Sequence, residues 1–140
     1  MAAQQPPLQY DLETDEELET KLCEKGLKVV ELYSEWCGPC KSVIPTFKKI
    51  RLDQEDESTL QFLTVCGDKC QFLEAAADRG GNSEPLFLLY RNGALKQKVE
   101  GANTPSLKNF IMELTPMTAD ADELEENPLY LARREREKAK

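Results

Sequence analysis

An α/β domain with a mixed central β-sheet flanked by helices, extended by a C-terminal linker and helix, is the fold class the sequence predicts. Three observations carry it. Strand-like and helix-like runs alternate between Val29 and Arg79, the order expected of packed α/β layers. Two further β-like runs, Leu86 to Tyr90 and Ala94 to Glu100, flank Arg91-Asn92-Gly93, and Asn-Gly between such runs is a strong hairpin signal. A Cys-x-x-Cys pair, Cys37 to Cys40, falls where the first central strand should give way to a helix.

The elements follow in order. Residues 1–11 are polar and proline-containing and read as a flexible lead-in. Thr14-Asp15-Glu16-Glu17 has the form of a capping box, with Leu18, Leu22 and Cys23 on one helical face and Gly26 as the stop. Val29 to Tyr33 suits a strand covered on both faces, with Glu31 as the exception. Cys40 to Leu52 places Val43, Ile44, Phe47, Ile50 and Leu52 at helical spacing, and Pro45 within it predicts a kink. Leu60 to Val65 reads as a second buried strand and Lys69 to Arg79 as a helix ended by Gly80-Gly81. After the hairpin, Thr104-Pro105 opens a helix with Leu107, Phe110, Ile111 and Leu114 on one face, and the core is expected to close there. The domain therefore spans 12–114. Residues 115–140 form an acidic linker and a charged helical tail, with too little apolar surface to fold alone; either it is solvated or Leu129, Tyr130 and Leu131 dock on a partner.

Composition narrows the function. A chain of 140 residues holds one domain plus tails. The net charge of -8 opposes binding to phosphate backbones, so nucleic acid is not an expected partner. No apolar run approaches the roughly 20 residues a spanning helix needs, and the start lacks a signal-peptide layout, so no membrane partner is expected and a reducing, cytoplasmic setting is. In that setting five cysteines point to redox or metal chemistry rather than a disulfide framework. The chain has no histidine, which removes imidazole catalysis and most zinc sites.

At a strand-to-helix junction the first thiol of a Cys-x-x-Cys meets the positive end of the helix dipole, which favours its thiolate. Cys37 is thus the expected nucleophile. Cys40, one turn on, is placed to resolve the mixed disulfide that Cys37 forms. Gly38-Pro39 stiffens the turn between them, and Trp36 shields one side of the pair.

The segment Glu31-Leu32-Tyr33-Ser34-Glu35-Trp36-Cys37-Gly38-Pro39-Cys40-Lys41 resembles the active-site segment of the thioredoxin family. The resemblance runs from about Leu12 to Leu114 and implies a thioredoxin fold. It puts Pro45 at the family's helix kink, Pro85 at its cis-proline and Gly101 at its late glycine, and it implies substrate contacts at Trp36, Gly38, Pro39, Glu84, Pro85 and Gly101. No cofactor is implied beyond the redox-active Cys37–Cys40 disulfide, and no metal. Three departures stand out: Glu31 replaces the buried aspartate that takes the proton of the resolving cysteine, Cys66 stands where that carboxylate's lysine partner falls, and Glu84 adds a charge before the cis-proline. Gly101-Ala102-Asn103, the charged tail and Trp36 to Lys41 further resemble the axonemal dynein light-chain thioredoxins and the thioredoxin domains of ciliary nucleoside-diphosphate kinase fusions. That implies a redox light chain in the axoneme of a cilium or flagellum, with dynein heavy or intermediate chains, protein disulfides and a thioredoxin-type reductase as partners. The alternative is a free cytosolic thioredoxin acting as a general protein-disulfide reductase.

Each reading has a plainer counterpart. Cys37 and Cys40 could join Cys66 and Cys70 in a four-thiolate zinc site, although Pro39 and the strand-to-helix placement favour redox use. Glu31 is either a desolvated proton acceptor in a central strand or an edge residue tipped to solvent. Cys66 and Cys70 are small packed hydrophobes or a regulatory second disulfide, Cys23 is core, and Pro85 is a cis-proline or an ordinary turn residue.

Overall fold

The computed structural model describes residues 7–35, 38–67 and 85–139. Five strands, β1 (Gln9–Leu12), β2 (Leu27–Tyr33), β3 (Leu60–Cys66), β4 (Leu86–Arg91) and β5 (Ala94–Glu100), form one sheet in the order β1-β3-β2-β4-β5. β3 runs parallel to both β1 and β2, whereas β4 is antiparallel to β2 and β5. The sheet is mixed, and β2 lies at its centre.

The helices are α1 (Asp15–Leu22), α2 (Ile44–Asp53), α3 (Thr104–Leu114) and α4 (Pro128–Lys138). Alternation along β2 divides the core into two layers. Val30 and Leu32 pack with Leu18 and Leu22 of α1, while Leu27 and Val29 pack with Phe47 and Ile50 of α2 and Leu107 and Ile111 of α3. Phe47 stacks on Phe62 at 4.3 Å between ring centroids and meets Phe87 edge-on at 6.0 Å, offset and edge geometries that the ring quadrupoles favour. Thr14 caps α1 through a bond from the Glu17 N–H, Asn103 caps α3, and Asn92 (φ 50°) and Gly93 (φ 76°) make the two-residue hairpin turn.

Three expectations are corrected. Residues 9–11, read as lead-in, belong to β1, whose alternating Tyr10 and Leu12 join the α1-side core; four residues on a sheet edge leave too short a pattern to see in sequence. Pro45 does not kink a helix that begins at Cys40. The helix starts at Ile44, with Pro45 in its first turn, where a missing N–H costs nothing. The helix expected over Lys69–Arg79 lies outside the described residues.

The third correction concerns the tail, since the core does not close at Leu114. Residues 115–139 turn back as an arm of two 3₁₀ turns and α4. The Asp122 carboxylate accepts the Gly26 N–H at 3.0 Å and pairs with Arg91 at 3.1 Å. Asn92 donates to the Glu123 carbonyl. Asn127, fully buried, donates to the Leu22 carbonyl and accepts from the N–H groups of Leu129 and Tyr130, capping α4. Leu129 packs against the α1-side core, Arg133 donates to Thr20 and Arg136 pairs with Glu19. A Cβ on Gly93 would stand 1.9 Å from Asn127 Oδ1, so only glycine lets the hairpin tip meet the arm.

Candidate functional site

The site is built at the C-terminal end of β2. Period-two alternation puts Glu31 on the same face as Val29, toward α2, and its neighbours in register are Thr64 on β3 and Phe87 on β4. Flanked by strands on both sides, the Glu31 side chain has no exposure, which rules out the edge reading. Its Oε2 accepts the Cys40 N–H at 2.6 Å, while Oε1 is buried without a partner among the described residues. Burial pushes the carboxyl above the usual range, and the bond from Cys40 and the Gln9 amide offset only part of that. The carboxyl is therefore anchored to the backbone of the expected resolving cysteine.

Cys40 lies four residues before α2, rather than a turn inside a helix, in a half-buried position, and its Sγ stands 3.1 Å from Ser42 Oγ. Gly38 adopts φ +74°, with its N–H donating to the Ser34 carbonyl, and Pro39 is exposed. Residue Pro85 precedes β4, whose Leu86 registers with Leu32, so Pro85 sits beside the end of β2. Its carbonyl accepts the N–H of Gly101, which has φ +77°. The structure thus brings Glu31, Gly38, Pro39, Cys40, Pro85 and Gly101 to one end of the sheet. Trp36, Cys37, Glu84 and Cys70, and the peptide bond between Glu84 and Pro85, lie outside the described residues.

Cys66 registers with Tyr33 at the same end of the sheet, buried and with a free thiol. Cys23 is buried beside α1. Tyr33 and Thr64 both donate to Asp11 Oδ1, at 3.2 and 2.9 Å, and burial with the nearby Asp11 charge pushes the Tyr33 hydroxyl up to about 12. Among the described residues no group of three or more Cys, Asp or Glu side chains is gathered to hold a metal. Sequence reasoning missed two residues, Gln9 and Ser42: the first lies in the unrecognised strand, and the second is a serine with no motif around it.

A cavity of about 800 Å³ lies away from this site, between α1, the starts of β2 and β3 and the arm, lined in part by Cys23, Lys28, Gln61, Tyr130 and Arg134. Its lining residues Lys28 and Gln61 put it at the start of β2 and β3, the end opposite Cys40.

The sequence profile of the thioredoxin family matches residues 10–113. The chain belongs to the thioredoxin family. Among its relatives, the 16 kDa light chain of the flagellar outer dynein arm of Chlamydomonas reinhardtii is 64% identical over 138 residues, covering 99% of this chain and 88% of that one. The 14 kDa light chain of the same arm is 37% identical over 89 residues, covering 64% of this chain and 66% of that one. Human thioredoxin domain-containing protein 6 is 40% identical over 106 residues, covering 76% of this chain and 31% of its own length. The fold is that of solved thioredoxins: reduced Schistosoma mansoni thioredoxin pre-protein superposes with a TM-score of 0.58 at 30% identity, covering 76% of this chain and 97% of that one. Trypanosoma brucei brucei thioredoxin gives 0.60 at 26%, covering 81% and 95%.

Proposed function

We propose that this thioredoxin-family chain is a dithiol/disulfide light chain of an axonemal outer-arm dynein, working through Cys37 and Cys40 in a cilium or flagellum. The observation that carries the assembly part is the extent of the likeness. Similarity to the 16 kDa dynein light chain runs over 138 residues and so takes in the arm, whereas the Schistosoma mansoni thioredoxin covers 76% of the chain. An element shared with a dynein subunit over and above the thioredoxin fold is where assembly with dynein heavy or intermediate chains is best sought.

The redox part rests on Cys37-Gly38-Pro39-Cys40 at the end of a central strand, with a buried carboxyl bonded to the Cys40 N–H. The Cys37 thiolate attacks a target disulfide, forming a Cys37–target bond and expelling one target thiolate. Cys40 then gives up its proton and attacks the Cys37 sulfur, which forms the Cys37–Cys40 disulfide and releases the second target thiolate. Two electrons pass to the target. Glu31 takes the Cys40 proton, a role supported by its bond to the Cys40 backbone N–H, and a thioredoxin-type reductase returns the pair to the dithiol.

Isolation of axonemal dynein from cells carrying the tagged chain tests the reading. Co-purification of full-length protein with outer-arm chains is the expected result. Recovery only in the soluble pool would instead favour a free general reductase.

A further inference from the structure

Glu31 Oε1 and Gln9 Nε2 are both buried, and neither has a hydrogen-bond partner among the described residues. They lie on one face of the sheet: Gln9 registers with Phe62 on β3, which registers with Val29, two residues before Glu31 on β2, and the Gln9 amide favours the charged form of Glu31. A buried donor and a buried acceptor on one face of the sheet, each without another partner among the described residues, are groups that can satisfy one another. Resting on the dithiol reading, we propose that Gln9 is the positioning residue for Glu31: its amide N–H donates to Oε1 and holds the carboxyl beneath Cys40, ready to accept the resolving thiol's proton.

The two carboxylate oxygens then have separate duties. Oε2 is fixed by the Cys40 N–H at 2.6 Å, and Oε1 by Gln9. A neutral amide steadies the carboxyl without the Coulombic pull a cation would exert, so the group keeps a high proton affinity, as a proton acceptor for a thiol requires. Among the described residues the titratable groups around Glu31 are few. Cys40 approaches from the loop before α2, Tyr33 lies two residues along β2 with Asp11 bonded to it from β1, and Cys66 lies beyond Thr64 on β3. The side chains packed on this face from α2, α3 and the turn before α2 include the apolar Val43, Phe47, Ile50, Leu107 and Ile111.

Two variants of opposite sign test the assignment in the full-length protein. Gln9→Leu removes the donor at similar size, and Gln9→Lys replaces it with a cation. Carbon-13 NMR titration of the Glu31 carboxyl should show its midpoint rising in Gln9→Leu and falling in Gln9→Lys, each by roughly threefold or more in proton affinity. The pH profile for resolution of a mixed disulfide should move with it. Unmoved midpoints, or movement in the same direction, would overturn the proposal, since a merely structural Gln9 would change stability without steering the titration both ways. Failure of the dithiol reading looks different: the parent protein would exchange no disulfides while the Glu31 titration still answered to Gln9.

Discussion

The Asn127 side-chain amide donates to the Leu22 carbonyl oxygen at 3.0 Å, joining residues 105 positions apart. This bond closes an orphan carbonyl at the end of α1, and the same side chain's oxygen caps α4. With Asp122 on the Gly26 N–H and on Arg91, it makes the arm part of the folded domain rather than an appendage.

Arm removal should therefore destabilise the domain. Truncation after Leu114 leaves the Leu22 carbonyl and the Gly26 N–H without their partners and uncovers the Leu129 side of the core. Asn127→Ala and Asp122→Ala should each cost about 1–3 kcal/mol in urea unfolding, and the truncation more than either. Truncated protein as stable as the full chain would show that these contacts add nothing.

Glu31 gives a pH-dependent signature. Its folded-state proton affinity is raised by burial, so the folded chain binds that proton more tightly than the unfolded chain. The resulting stability is fully present below the usual carboxylate range and is lost as pH rises through the folded value. Glu31→Gln should be more stable than the parent at neutral pH, with the difference closing as pH falls toward 4.5. Chemical denaturation across pH measures this, and a constant difference would contradict it.

Lys28 carries the opposite sign. Only 2% of it is exposed, its ammonium donates to the Lys25 carbonyl at 2.7 Å, and burial lowers its pKa from 10.5 to about 8. Below pH 8 the folded state bears the cost of a buried cation, and that cost is relieved as pH rises from about 8 to 10.5. The parent should gain up to a few kcal/mol relative to Lys28→Met across that window, read as diverging unfolding midpoints. Parallel curves would place the ammonium in water.

Most of the fold was legible because its signals are local. The Thr14 capping box, the Asn92-Gly93 turn and the Leu107/Ile111 stripe each depend on residues close in sequence, and each appears where its pattern puts it. What escaped notice depends on distant partners. β1 exists because β3 offers an edge, and Pro45 marks a helix start because residues 41–43 turn before it. Asp122 and Asn127 look like linker residues until Gly26 and Leu22 come into view. The site divides in the same way: Cys40 and Glu31 announce themselves through a motif and an acid in an apolar run, whereas Gln9 has meaning only once three strands lie side by side.

The most direct test of the dithiol mechanism is trapping of mixed disulfides on non-reducing gels with Cys40→Ser and Cys37→Ser. Cys40→Ser should accumulate mixed disulfides through Cys37, and Cys37→Ser should accumulate none, because attack and resolution belong to different thiols. Equal trapping by the two variants, or by neither, would contradict the account.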